Sequence, residues 1–168
     1  MDLRDVARGA LSADEEQIAG KGQTLTTDLP EPLPAQGDRQ RLEQVLVNLL
    51  ANANRHTPDG TQIAVEGGAT ESEVRLTVRD TGPGVAPQDL EAMFQRFRRL
   101  GAVTGGRGGA GLALAIARGI VELHGGRLWA ESQPGQGTAF HLALPRATSE
   151  ERATSDERRA ANDGRTGG

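Results

Sequence analysis

An α+β two-layer sandwich, with a mixed sheet covered on one face by three main helices, is the fold class this sequence predicts. Two observations lead there. Segments of 3.6-residue apolar period and segments of strict alternation follow one another as helix, strand, helix, two strands, short helix, loop, helix, two strands. That order suits helices packed on one face of a mixed sheet. The 168-residue length also suits a single core, and no internal repeat interrupts it.

Each element rests on a local signal. In residues 2–19, Leu3, Val6, Ala7, Ala10 and Leu11 fall near helical spacing, and Gly20 and Gly22 end the helix. "QTLTTDL" alternates and is closed by Pro30, Pro32 and Pro34. Asp38 is an N-cap for a second helix, along which Leu42, Val45, Leu46, Leu49, Leu50 and Ala53 form one apolar stripe until "TPDG" stops it. "TQIAVEG" and "EVRLTVRD" read as two strands. "PQDLEAMFQRF" is a short helix, and residues 98–110 have no apolar period and are expected to be a mobile loop. "GLALAIARGIVELHGG" is a third main helix, ended by Gly125 and Gly126, and "RLWAES" and "GTAFHLAL" close the domain as a hairpin around "QPGQG". The expected domain is therefore 1–146. Residues 147–168 carry mixed charge and no apolar side chain larger than alanine, the composition of a disordered tail.

Composition narrows the function. Cysteine is absent, which removes disulfides and thiolate metal sites. A net charge of −4 and only four aromatic residues, Phe94, Phe97, Trp129 and Phe140, argue against a nucleic-acid partner. No apolar run approaches the roughly 18 residues of a membrane span, and no signal pattern opens the chain, so a cytoplasmic protein is expected. The unusual number is 23 glycines, six of them between Gly101 and Gly111.

Three places could carry chemistry. On the second helix Asn48, Asn52, Arg55 and His56 share a polar stripe beside the apolar face. Asparagine is a mediocre helix former, so two of them one turn apart need a reason. Their carbonyl oxygens could be directed at Mg²⁺ or its waters, with Arg55 and His56 reaching phosphates; ordinary surface amides on a hydrophilic flank are the other reading. In "VRDTGPG" a strand delivers Asp80 to a sharp turn. A carboxylate there can accept a hydrogen bond from an exocyclic amine, while Gly82 and Gly84 let a flat base approach the backbone; an aspartate at an ordinary strand-end turn is the alternative. "GGRGGAGLALAI" runs glycines directly into a helix, so free N–H groups and the positive end of the dipole face outward, as phosphate binding requires; a flexible surface loop is the other reading. The hydrophobic strand that a dinucleotide fingerprint needs before its glycines is missing, and no G-x-x-x-x-G-K-[ST] occurs.

Together, over residues 2–145, these segments resemble the catalytic and ATP-binding domain of sensor histidine kinases, within the superfamily shared with gyrase, Hsp90 and MutL and its Bergerat-type fold. "NLLANANRHTP" resembles the asparagine box, "DTGPG" the first glycine box, "MFQRFRR" the phenylalanine box that opens the ATP lid, "GGAGLALAI" the second glycine box, and "PGQGTAFHLALP" the terminal hairpin. The resemblance implies ATP and Mg²⁺ as cofactors, with Asn52 at the metal-ligand position and Asn48 one turn before it. It also implies phosphate contacts from Arg55 and the lid residue Arg99, His56 at an aromatic or histidine position, and Asp80 as the carboxylate that reads adenine. Gly82, Gly84, Gly109, Gly111, Leu112 and Thr138 complete the implied nucleotide-binding set. Ala110 and Ala113 stand where the family usually has a hydroxyl residue and a glycine, which is expected to weaken ATP binding rather than abolish it. His56, His124 and His141 are the chain's histidines, and each occupies a catalytic-domain position, so none resembles a phosphoacceptor. The expectation is one half of a split kinase that begins at Met1 and acts in trans, with a cut fragment of a longer kinase as the other reading. Its partners would be a separate acceptor-hairpin protein, met near Arg96, Arg98 and the helix at 87–95, and through it a response regulator.

Overall fold

The computed structural model describes residues 1–100 and 109–148. The expected tail lies almost wholly outside the described residues, as does the middle of the expected loop. Four helices and five strands follow in the order α1 (Leu3–Gly20), β1 (Thr24–Asp28), α2 (Arg39–His56), β2 (Gln62–Ala69), β3 (Glu73–Asp80), α3 (Pro87–Leu100), α4 (Gly109–Leu123), β4 (Arg127–Ser132) and β5 (Thr138–Pro145). The sheet order is β1-β2-β3-β5-β4, with β1 parallel to β2 and every other pairing antiparallel. This is the expected α+β mixed sheet. One boundary differs: residues 98–100 and 109–110 are helical rather than loop. Nothing in "RRL" breaks a helix before Gly101, so α3 runs on past the last phenylalanine.

Alternation decides which face of the sheet is covered. On β3, Val74, Leu76, Val78 and Asp80 are buried, while Arg75 and Arg79 point the other way and are exposed. The buried row meets Leu46, Leu49, Leu50, Leu114, Ala117 and Val121 of α2 and α4 in one continuous core that also takes in Leu3, Val6 and Ile18 of α1. The opposite face is polar. Trp129 of β4 stacks on His141 of β5 at 5.1 Å, and the Arg127 guanidinium lies 4.5 Å from the indole ring.

Helix ends are fixed by specific partners. Asp38 caps α2 as expected, its Oδ1 accepting from the N–H groups of Gln40 and Arg41. His124, just past α4, accepts the Asp38 N–H on Nε2 at 3.0 Å, and Asn48 donates its amide to the Ala113 carbonyl at 3.2 Å. Two polar clamps therefore set α4 along α2, one near each end. At the other edge of the domain, Ala147 is buried and donates its N–H to Pro34. Among the described residues no helix is long and apolar enough to cross a membrane.

Candidate functional site

β3 ends on Asp80 facing the helices, because the two-residue period that buries Val74, Leu76 and Val78 also buries residue 80. Asp80 is 7% exposed. Its Oδ1 accepts from the Gly82 N–H at 2.9 Å and from the Thr138 N–H at 3.3 Å. These two backbone donors help to orient the carboxylate at the mouth of the sheet. Gly82 lies so tightly against its neighbours that a side chain is excluded: a Cβ there would stand 2.8 Å from Thr57 Cγ2 and 3.0 Å from Asp80 Oδ1.

The loop that follows is locked to the β4–β5 turn. Gly84 has φ +70°, and a Cβ on it would meet the Gln133 carbonyl oxygen at 2.2 Å. Gly135 donates its N–H to Pro83 at 2.6 Å, Val85 donates to Ser132 Oγ at 2.8 Å, and Ser132 Oγ donates in turn to the Gly137 carbonyl. Gly137, at φ +83°, passes so close to Asp80 that a Cβ would lie 2.0 Å from its carbonyl oxygen. Thus Asp80, Gly82, Gly84 and Thr138 are brought into one constellation. Ser132 and Gly137 belong to it as well, and the sequence reading assigned neither of them. The doubled glycine of "PGQG" is the one local signal that a close backbone approach occurs there.

The asparagine helix contributes from the other side. Asn52 is 7% exposed, and its buried Oδ1 has no hydrogen-bond partner among the described residues. Asn48 is different: its Oδ1 accepts from Gln44 at 2.9 Å while its Nδ2 holds Ala113. Arg55 is exposed at the end of the same helix. His56 is the last helical residue, and its side chain lies outside the described residues, as do those of Arg96, Arg98, Arg99 and Leu112. Gly109 and Gly111 occupy the first turn of α4, so the N–H groups they contribute are the ones a helix leaves without internal partners. Phe94 of α3 anchors this region, 6.0 Å from Phe140 and edge-on to it, with the Arg118 guanidinium 4.8 Å from its ring. Thr57 and Asn48 join the pieces. Thr57 packs α2 against Gly82, and Asn48 ties α2 to the first turns of α4.

A buried strand-end carboxylate, a buried asparagine oxygen and a glycine-initiated helix thus surround one end of the sheet. Residues 37–148 match the model of the histidine kinase-, DNA gyrase B- and HSP90-like ATPases. The chain belongs to that family. The ATPase domain is 39% identical over 147 residues to the adaptive-response sensory kinase SasA of Thermosynechococcus vestitus, an alignment that covers 86% of this chain and 38% of the relative. The chain therefore spans well under half the length of that relative. Among solved structures, the nucleotide-free catalytic domain of the histidine kinase ThkA superposes with a TM-score of 0.75 at 29% identity, covering 87% of this chain and 93% of that one. Full-length ShkA, solved in complex with AMPPNP, gives a TM-score of 0.75 at 30% identity over 89% of this chain and 31% of its own. The ATPase domain is thus homologous to the catalytic domains of two-component histidine kinases.

Proposed function

We propose that this ATPase domain binds Mg²⁺–ATP and passes the γ-phosphoryl group to a histidine on a separate protein, as the catalytic half of a two-component signalling kinase. The observation that carries the nucleotide reading is two buried oxygen-bearing side chains: Asp80, whose Oδ1 is held by two backbone donors, and Asn52, whose Oδ1 has no hydrogen-bond partner among the described residues. An unpaired buried carbonyl oxygen costs about 1–3 kcal/mol unless something binds it. A hard divalent cation suits that oxygen, and Mg²⁺ commonly takes one or two protein ligands plus substrate phosphates and waters.

In this mechanism Asp80 accepts a hydrogen bond from the adenine amine and repels the carbonyl oxygen of guanine. Gly82 and Gly84 let the loop beside Asp80 pack closely on Thr57 and Gln133, so that its backbone borders the base, and Thr138 helps orient Asp80. Asn52 would hold Mg²⁺, which neutralises charge on the phosphates when bound. Asn48, with both ends of its amide engaged, contributes by fixing α4 so that Gly109 and Gly111 present their N–H groups to phosphate oxygens. Arg55 and Arg99 add positive charge there, and His56 and Leu112 border the nucleotide. The acceptor nitrogen, on a helical hairpin of the partner, attacks the γ-phosphorus as the bond to the β–γ bridging oxygen breaks and ADP leaves. The domain supplies positioning and charge rather than a base. The phosphohistidine then serves a response regulator, and the cytoplasm is where ATP and such partners meet.

The test incubates the chain with γ-labelled ATP, with and without an acceptor-hairpin protein. Acid-labile label on the hairpin, lost in Asn52→Ala, is the expected result. Acid-stable label would indicate a serine kinase of the anti-sigma type, and ATP binding with no transfer would indicate a regulatory module. Label on His56, His124 or His141 would overturn transfer in trans.

A further inference from the structure

The last turn of α2, which carries Asn52, ends under a cluster of polar groups that the nucleotide site does not itself contain. A helix leaves its final four carbonyls without internal partners. Here the ammonium of Lys21, from the α1–β1 turn, donates to the carbonyls of Asn54 and Thr57, the latter at 2.8 Å. Gln23, 6% exposed, donates to Thr57 Oγ1 at 2.8 Å and accepts from the Asn54 amide at 2.7 Å. Thr57 Oγ1 in turn donates to the Ala53 carbonyl at 2.6 Å. A lysine at a helix C-terminus satisfies orphan carbonyls and opposes the negative end of the dipole.

The consequence lies one residue further on. Thr57 is 5% exposed, and its Cγ2 occupies the space beside Gly82, whose N–H orients Asp80. Lys21 and Gln23 fix the backbone and hydroxyl of Thr57, and its methyl fixes the spacing between the asparagine helix and the Asp80 loop. We propose that Lys21 is a positioning residue of the nucleotide site, acting through Thr57 on Gly82 and Asp80; this rests on the nucleotide-binding reading given above. Lys21 contacts no nucleotide in this scheme. It holds in register the two segments that do.

The experiment compares the full chain with Lys21→Met, Lys21→Arg and Thr57→Ser, at a temperature where melting curves show every variant folded. Two quantities are measured: MgATP affinity and hydrogen-exchange protection of the Gly82 amide without nucleotide. Lys21→Met should weaken MgATP roughly 10–100-fold, as is typical when groups that orient a site's ligands are removed, and should lower Gly82 protection. Lys21→Arg keeps donors and charge and should restore both. Thr57→Ser keeps the hydroxyl bonds but loses the methyl, so it should weaken ATP and Gly82 protection while leaving the cap intact. Unchanged affinity and unchanged Gly82 protection in Lys21→Met or Thr57→Ser would overturn the proposal. Wild-type chain that binds no ATP would overturn the nucleotide reading instead, and Gly82 protection would still decide whether Lys21 positions the loop.

Discussion

Gly135 and Gly137 stand in the same turn with nearly the same backbone, φ +84° and +83°, yet their surroundings differ completely. A Cβ on Gly135 would meet nothing within 4 Å, whereas one on Gly137 would lie 2.0 Å from the Asp80 carbonyl oxygen and 3.0 Å from its carbon. Alanine at either position incurs the left-handed penalty of about 1–2 kcal/mol. At 137 the clash is with backbone that cannot rotate away, which adds about 1–3 kcal/mol of overpacking. Gly135→Ala should therefore lose about 1–2 kcal/mol and Gly137→Ala about 2–5 kcal/mol. In a domain of this size each kcal/mol lowers Tm by about 2–4 °C. Gly137→Ala also pushes on Asp80, the residue proposed to read adenine, so its ATP affinity should fall on the order of tenfold or more, while Gly135→Ala keeps wild-type affinity. Thermal melts with and without MgATP, and titration with a fluorescent ATP analogue, measure both effects. Equal losses of Tm in the two variants, or wild-type ATP affinity in folded Gly137→Ala, would refute the reasoning that the turn buttresses Asp80.

Three further outcomes follow from single residues. Asn52→Ala should abolish Mg²⁺-dependent ATP binding at almost unchanged Tm, since its Oδ1 has no hydrogen bond to lose; circular dichroism melts showing an unfolded variant would assign it a structural role. Asp80→Asn should erase the preference for ATP over GTP in thermal-shift assays, a change of about 1.5–3 kcal/mol for a bond to a charged acceptor, and retained discrimination would remove Asp80 from base recognition. Asp14 of α1 is 7% exposed, its Oδ2 has no hydrogen-bond partner among the described residues, and burial lifts its carboxyl above the ordinary aspartate value. The native state holds that proton more tightly than the unfolded chain, so stability falls as pH rises through the native pKa, and the cost is fully present above it. Asp14→Leu should raise Tm at neutral pH, with about 1–3 kcal/mol recovered from the orphan group, and Asp14→Asn should flatten the fall; a less stable Asp14→Leu at neutral pH would show that the carboxylate has an unseen partner.

What the sequence made legible was whatever a local period or a single end signal encodes. The burial of Asp80 follows from the same alternation that buries Val74, Leu76 and Val78, and the flank position of Asn52 follows from the stripe of Leu42, Val45, Leu46 and Leu49. The Asp38 cap and the mixed sheet came from the same kind of signal. Asp14 was overlooked although it stands four residues after Ala10 and four before Ile18, on the buried stripe of α1. Treating the stripe as apolar by default hid the one carboxylate within it. The end of α3 was set too early because the aromatic pattern stops before the helix does.

The contacts that sequence could not reveal are those between segments far apart in the chain, and they are the ones that make the site. Asp80 meets Gly137 and Thr138 across more than fifty residues, Thr57 meets Gly82, Asn48 meets Ala113, and Lys21 meets Asn54 and Thr57. None of these pairings has a period, because each is a point where two turns or helix ends meet rather than where two faces pack. Close packing at such points admits no side chain at Gly82, Gly84 or Gly137. Their glycines therefore fix the distance between elements as firmly as the leucines fix the core. The two functions of glycine in this chain can be separated on that basis. Those at 82, 84 and 137 are held between packed atoms and set geometry, whereas Gly135 has open space where a side chain would stand and holds Pro83 through its N–H alone. A glycine count alone cannot tell one from the other, and the paired alanine substitutions at 135 and 137 measure that difference directly.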